Sequence, residues 1–256
     1  MKILKIILFL FICLSLTSCN DSDDKNDEAV DISSDCGNFK VINGTECSRK
    51  DIPVVLLEFS APNSRGVCTG TVIGNNHILT AAHCFPGTTG VTIIHDNGSA
   101  NGETFFINPN YNGTSESDTA IIVAADIATN LKINAASING SSSVSKGDLL
   151  SFIGYGLDEN DDIAISLPNA NPRVTDIKVI DNLNTEFHTR FEETNSNPCG
   201  GDSGGAAFKD GLIVGVESAG IGEVNCREGG FNILSAINNS SNLEFLKTFV
   251  PDIDIR

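Results

Sequence analysis

Cys199-Gly200-Gly201-Asp202-Ser203-Gly204-Gly205 is the stretch on which the reading of this chain turns. Glycines on both sides of an Asp-Ser pair let the backbone turn tightly and bring successive N–H groups close together. A serine hydroxyl is a weak nucleophile. It is activated when a histidine stands within hydrogen-bond reach and a buried carboxylate fixes the tautomer of that histidine and steadies its imidazolium. Working outward toward the N-terminus, two further stretches carry residues of these types. One is Asp118-Thr119-Ala120-Ile121; the other is Leu79-Thr80-Ala81-Ala82-His83-Cys84, preceded by Cys68-Thr69-Gly70-Thr71-Val72-Ile73. Asp126 lies near the first, but only Asp118 opens an apolar run. His77, His95 and His188 fall in no such motif and read as surface or structural.

Around these motifs, from Val41 onward, short apolar runs alternate with Gly, Asn and Asp. Val54-Val55-Leu56-Leu57, Thr71-Val72-Ile73, Val91-Thr92-Ile93-Ile94, Ala120-Ile121-Ile122-Val123, Leu149 to Ile153 and Leu212 to Val216 have strand length and strand composition. Asp210-Gly211 is a hairpin turn signal. Thr175, Ile177 and Val179 alternate with Val174, Asp176 and Lys178 as a half-buried strand would. Only the end reads as helix: Ser241-x-x-Glu244 is a candidate capping box, and Leu243, Leu246, Phe249 and Val250 share a helical face. Many short strands with one terminal helix predict an all-β barrel or sandwich class.

The three motifs, in this order, closely resemble the chymotrypsin/trypsin family of serine proteases, over Val41 to about Val250. The resemblance implies two six-stranded antiparallel β-barrels with a C-terminal helix, the first over residues 41–130 and the second over 131–256. It implies a serine endopeptidase acting on proteins or peptides without a cofactor. Ser203 would be the nucleophile, His83 the general base and acid, and Asp118 the orienting carboxylate; the N–H groups of Gly201 and Ser203 would form the oxyanion hole. A protease fold kept as a silent surface binding module is the alternative. No His/Cys cluster has metal-ligand spacing, so no metal is expected, and Asp96-Asn97-Gly98 reads as a turn.

By the same resemblance, Cys68 pairs with Cys84 and Cys199 with Cys226, each contributing on the order of 3 kcal/mol. Cys36 and Cys47 then pair with each other by elimination. Lys40-Val41-Ile42-Asn43-Gly44 resembles the family's activation site: an activating protease would cut after Lys40, and the ammonium of Val41 would insert against Asp202. The substrate pocket would have Asn197 at its base, with Ser218, Ala219, Gly220 and Gly230 as walls. A neutral Asn at the base disfavours a buried Lys or Arg by roughly 2–5 kcal/mol, which predicts a polar or apolar P1 preference. Against the family pattern the stretch between Gly220 and Cys226 is longer, which would let Glu223 reach inward and restore a negative charge.

The N-terminus reads as a targeting segment. Lys2 and Lys5 precede an apolar stretch from Ile6 to Leu16, shorter than the roughly 20 residues a membrane span requires. Leu16-Thr17-Ser18-Cys19 resembles the bacterial lipobox, which implies a signal peptide over 1–18, acylation of Cys19 and export to a membrane of the cell envelope. Residues 19–40 would carry the lipid, an acidic tether and the propeptide. Asn20 to Asp35 holds seven carboxylates against Lys25, a run that is either a plain spacer or a surface-display signal. Of the net charge of −17, the remainder from Cys36 onward carries −13. So acidic a body repels phosphate backbones, which argues against nucleic acid as a partner. A monomer is expected.

Overall fold

The computed structural model describes residues 45–46, 52–62, 64–141, 144–157, 173–222, 226 and 229–256. The signal region, Cys19, Cys36, Lys40, Val41, Cys47 and Glu223 lie outside the described residues, and with them the proposed lipid anchor, activation site and Cys36–Cys47 pair.

The strands form two antiparallel sheets. β2 (Val54–Ala61), β3 (Ser64–Gly74), β4 (His77–Thr80), β5 (Gly90–His95), β6 (Gly98–Asn101), β7 (Thr104–Ile107) and β8 (Ala120–Val123) build the first, in the order β6-β5-β2-β3-β4-β8-β7. β9 (Leu149–Gly154), β10 (Arg173–Asn182), β11 (Glu186–Arg190), β12 (Ala206–Lys209), β13 (Leu212–Ile221) and β14 (Phe231–Ala236) build the second. There β10 pairs with β9 as well as β11, and β9 with β12, so six strands close into a ring. A short strand β1 (Thr45–Glu46), from the stretch expected in the first barrel, adds to the edge of β10 instead.

The expected six strands hold for the second barrel; the first sheet has seven. Its fifth strand in chain order is bent at Gly102-Glu103 into β6 and β7, of which β6 pairs with β5 and β7 with β8. A Cβ on Gly102 would lie 2.9 Å from Cγ2 of Ile122, so the corner needs glycine. The Gly102 and Glu103 N–H groups donate to the carbonyls of Val91 and Val123, on the two strands that the corner joins.

The continuous apolar runs have a common cause. Along β2, Val55 and Leu57 point into the first barrel, while Val54 and Leu56 face the core shared between the barrels. Ile78 and Leu79, Ile122 and Ile121, and Val72 and Ile73 divide in the same way. In the second barrel Phe152 faces inward and Ile153 the shared core. A strand buried on both faces loses its polar alternation. At Asp210-Gly211, φ is +53° and +74°, as a two-residue hairpin turn requires, and β12 and β13 flank it.

Helix α3 (Ser240–Phe249) follows two shorter ones, α1 (Ile127–Leu131) and α2 (Phe191–Thr194). Phe245, Leu246 and Val250 of its C-terminal end enter the shared core. Its N-cap is Asn239, whose side chain accepts from Asn242 N at 2.9 Å, not the Ser241 of the expected capping box. The cap falls two residues earlier because Asn239 is also tied to Glu116 O and Ala236 O through Nδ2, at 2.9 and 2.8 Å.

Candidate active site

Strand pairing brings the motifs together. Thr80, the last residue of β4, lies opposite Ala120, the first of β8. His83 sits just after β4 in a 3-10 turn (Ala82–Cys84), and Asp118 just before β8, capping another (Ser115–Ser117). The two side chains meet at the same end of the first barrel. Asp118 Oδ2 is 2.7 Å from His83 Nδ1, and Asp118 Oδ1 accepts from His83 N at 2.9 Å. The Ser218 hydroxyl, from β13 of the second barrel, donates to Oδ2 at 2.6 Å. The Asp118 side chain is 3% exposed and the His83 side chain 31%, which leaves a sheltered carboxyl behind an imidazole that reaches solvent. The Cys68–Cys84 disulfide, S–S 2.01 Å, staples the His83 turn to β3. Its two sulfurs and His83 form the one potential metal-ligand cluster among the described residues, but disulfide sulfurs are not thiolates and cannot bind as such.

Ser203 comes from the other barrel, in the turn before β12. Thr69 N donates to its carbonyl at 2.8 Å, and the Thr69 hydroxyl donates to Gly201 O at 3.0 Å while accepting from Tyr155 N at 3.0 Å. Buried Thr69, on β3, therefore bolts the serine loop to the barrel that carries His83. It stood inside a quoted motif, but nothing in the sequence marks it as a cross-barrel tie. Gly204, at φ +83°, packs so tightly on Thr80, Ala81 and Thr69 that a side chain there has no room. Among the described residues, no hydrogen bond joins the Ser203 hydroxyl to His83. The Gly201 and Ser203 N–H groups donate to no acceptor among those residues either.

Asp202 is fully buried, with Gly156 N on Oδ1 at 2.7 Å and Cys199 N on Oδ2 at 2.8 Å. Beside it, Cys199 is joined to Cys226.

A cavity of about 300 Å³ opens next to Ser203. Asn197, Gly220 and Gly230 are among the residues that line it. Ser218 and Ala219 do not: the β13–β14 register shifts between Glu217 and Ala219, and Ser218 turns to Asp118 instead. The pocket also holds two residues that sequence reasoning missed, Glu217 and Asn232. Asn232 Nδ2 donates to Glu217 Oε1 at 2.7 Å and to Pro198 O at 3.0 Å, and Asn232 Oδ1 accepts from Asn197 Nδ2. Burial pushes the Glu217 carboxyl well above the usual carboxylate range, against the lowering effect of the Asn232 bond and with the negative charges of Asp202 and Asp118 adding to the rise. Burial, with Asp118 nearby, also raises the Tyr111 phenol. A Glu inside an apolar Leu212-to-Val216 run extended by one residue was the available signal.

Comparison with known proteins fits this geometry. The model of the family described as Trypsin matches residues 41–242. "Trypsin Blo t 3" of Blomia tropicalis is 25% identical over 245 residues, covering 84% of this chain and 89% of that protein. "Snake venom serine proteinase 14" of Crotalus adamanteus is 29% identical over 205 residues, 70% of this chain and 76% of that one. Among solved structures, HL collagenase aligns with a TM-score of 0.67 over 81% of this chain and 97% of its own, at 21% identity, a likeness of fold alone. With four-fifths of its length matched by the family model, the chain belongs to the trypsin family of serine proteases.

Proposed function

We propose that the protein is a serine endopeptidase in which Ser203, His83 and Asp118 act as nucleophile, general base and orienting carboxylate. The observation that carries this reading is the 2.7 Å contact between His83 Nδ1 and a buried Asp118 whose position is set by two further donors. An Nδ1–H donated to a carboxylate leaves Nε2 as the free base, the tautomer that proton abstraction needs. Ser203 Oγ attacks the scissile carbonyl as its proton passes to Nε2, and the imidazolium returns that proton to the leaving amine. Water then repeats the cycle on the acyl-enzyme. Negative charge developing on the carbonyl oxygen is met by the N–H groups of Gly201 and Ser203, which donate to no acceptor among the described residues. In free enzymes the serine–histidine bond is often long and tightens with substrate, in keeping with the resting arrangement.

The precursor scheme belongs to the same proposal: export, acylation at Cys19, and activation by a cut after Lys40 that frees Val41 to reach Asp202. Treating the processed chain with a fluorophosphonate probe tests the central reading. Covalent labelling that is lost in Ser203→Ala is expected, together with cleavage of a peptide library. A chain that stays unlabelled after processing, and cuts no peptide, refutes turnover and leaves the silent binding module.

A further inference from the structure

We infer that the first turn of helix α3 positions Asp118, with Thr119 and Asn242 as the positioning residues. This role deepens the endopeptidase reading and rests on it for the function of Asp118. The backbone at Asp118 has φ −76° and ψ 66°, and Thr119 N donates to Ser117 O across it at 2.8 Å, an inverse γ-turn. A single bent bond closes that turn, so it holds the dihedrals that aim the carboxyl group only weakly by itself. Both residues that close it carry a hydroxyl, and the two hydroxyls reach consecutive residues of α3. Ser117 Oγ donates to Ser241 Oγ at 3.0 Å, and Thr119 Oγ1 donates to Asn242 Oδ1 at 2.9 Å. One residue earlier, the Glu116 carbonyl accepts from Asn239 Nδ2 at 2.9 Å and from Ser235 Oγ at 3.3 Å.

The neighbours of Asn242 fix the direction of these bonds. Ala236 O can only accept, so the amide nitrogen of Asn242 faces it and the amide oxygen faces Thr119. Asn108 Oδ1 accepts from Asn110 N, so Asn108 turns its NH₂ to Thr119 Oγ1 at 3.1 Å and to Asn242 Oδ1 at 3.0 Å. The Thr119 hydroxyl thus receives one hydrogen bond and gives one. Asn242 accepts two and donates two, the second donation going to Ser235 Oγ at 3.0 Å. Thr119 and Asn242 are both 0% exposed, so solvent offers neither of them a substitute partner. A buried network satisfied in this way is stiff. The 2.7 Å contact between Asp118 and His83 depends on that stiffness, because a drift of about 1 Å breaks a hydrogen bond of this length. An apolar contact between the two side chains would fill the same space without holding the turn in one direction, since hydrophobic attraction is not directional.

The test compares the full processed chain with Thr119→Val, Thr119→Ser and Ser241→Ala, at equal concentrations of fluorophosphonate-titrated enzyme. Thr119→Val keeps the shape and removes the hydroxyl. It should lower kcat roughly tenfold to a hundredfold with KM little changed. It should also shift the far-downfield proton NMR resonance of His83 Nδ1–H, which reads the contact with Asp118 directly. Thr119→Ser keeps the hydroxyl and should leave both readouts near those of the wild type. Ser241→Ala frees the other side of the turn and should move both in the same direction by less. Leu246→Val weakens the far end of the same helix, in the shared core, and should lower Tm without moving kcat or the resonance. A folded Thr119→Val enzyme with kcat and resonance unmoved overturns the inference, as does an equal loss of kcat in Leu246→Val. Should Thr119→Val not fold, Ser241→Ala decides by the same two readouts. Should the wild type take no fluorophosphonate, the endopeptidase reading fails, and the resonance alone still decides whether α3 sets the contact between His83 and Asp118.

Discussion

At the scale of single residues, Asp118 carries the most connections in the site. Both its oxygens are engaged, by the backbone and ring of His83 and by the Ser218 hydroxyl. Asp118→Asn keeps the shape but presents the imidazole with the wrong tautomer. Turnover should fall by about four orders of magnitude, the size this change has in Ser-His-Asp proteases generally. Ser218→Ala removes one hydrogen bond to a buried anion and should lower kcat by roughly tenfold to a hundredfold, with KM little changed. Steady-state kinetics on titrated enzyme check both. Glu217 allows a different measurement. Its folded carboxyl binds a proton more tightly than in the unfolded chain, through burial first and then the charges of Asp202 and Asp118. The native state therefore holds more protons than the unfolded one as pH climbs above the ordinary carboxylate value. Stability falls across that interval until the raised folded value is passed. Glu217→Gln removes this slope. It should raise Tm more at pH 8 than at pH 4.5, and an equal shift at both would count against a buried titrating carboxyl.

At the scale of elements, helix α3 is fastened to the Asp118 end of the first barrel by Ser241, which bonds Asn110 and Ser117, and above all by the amide of Asn242. Asn242 is fully buried; its Oδ1 accepts from Asn108 Nδ2 at 3.0 Å and Thr119 Oγ1 at 2.9 Å, and its Nδ2 donates to Ser235 Oγ at 3.0 Å and Ala236 O at 2.8 Å. Thr119 is the neighbour of Asp118. Asn242→Ala leaves several buried groups unpaired and should cost about 2–4 kcal/mol. Asn239→Ala should cost about 1 kcal/mol through its cap alone. Urea unfolding with an unchanged m-value reads both. Gly204 belongs to the same scale, because it packs against β3 and β4 of the first barrel. Gly204→Ala, facing positive φ, the Thr80 hydroxyl and the Thr69 carbonyl, should lose fluorophosphonate labelling as well as stability.

At the scale of the whole molecule, the site is split between the barrels. His83 and Asp118 come from the first, Ser203 and the pocket from the second, and the shared core around Leu56, Leu79, Ile153 and Phe245 holds them in register. One consequence joins this body to its proposed tether. If Cys36 bonds Cys47, the cut after Lys40 leaves the enzyme on the membrane, so fractionation should release it only under reduction. Activated, unreduced enzyme in the supernatant would refute that link.

Much of this could be read directly from residues. The runs at Val54, Thr71, Val91, Ala120, Leu149 and Leu212 are all strands, because sandwiching a strand between two cores writes unbroken apolarity into it. β11 and β14 escaped, since Glu186, His188 and the buried Asn232 and Ser235 break that signal. The motifs around His83, Asp118 and Ser203 were legible because such chemistry tolerates few alternatives in type and local spacing. The sequence by itself thus determined the two-barrel class, the family and the residues proposed for the chemistry. Tertiary structure alone decided the bend at Gly102, the bolt at Thr69, and the turn of Ser218 toward Asp118 and Glu217 into the pocket. Those depend on strand register and on which buried donors remain after their neighbours are satisfied, and neither quantity is local to any stretch of chain.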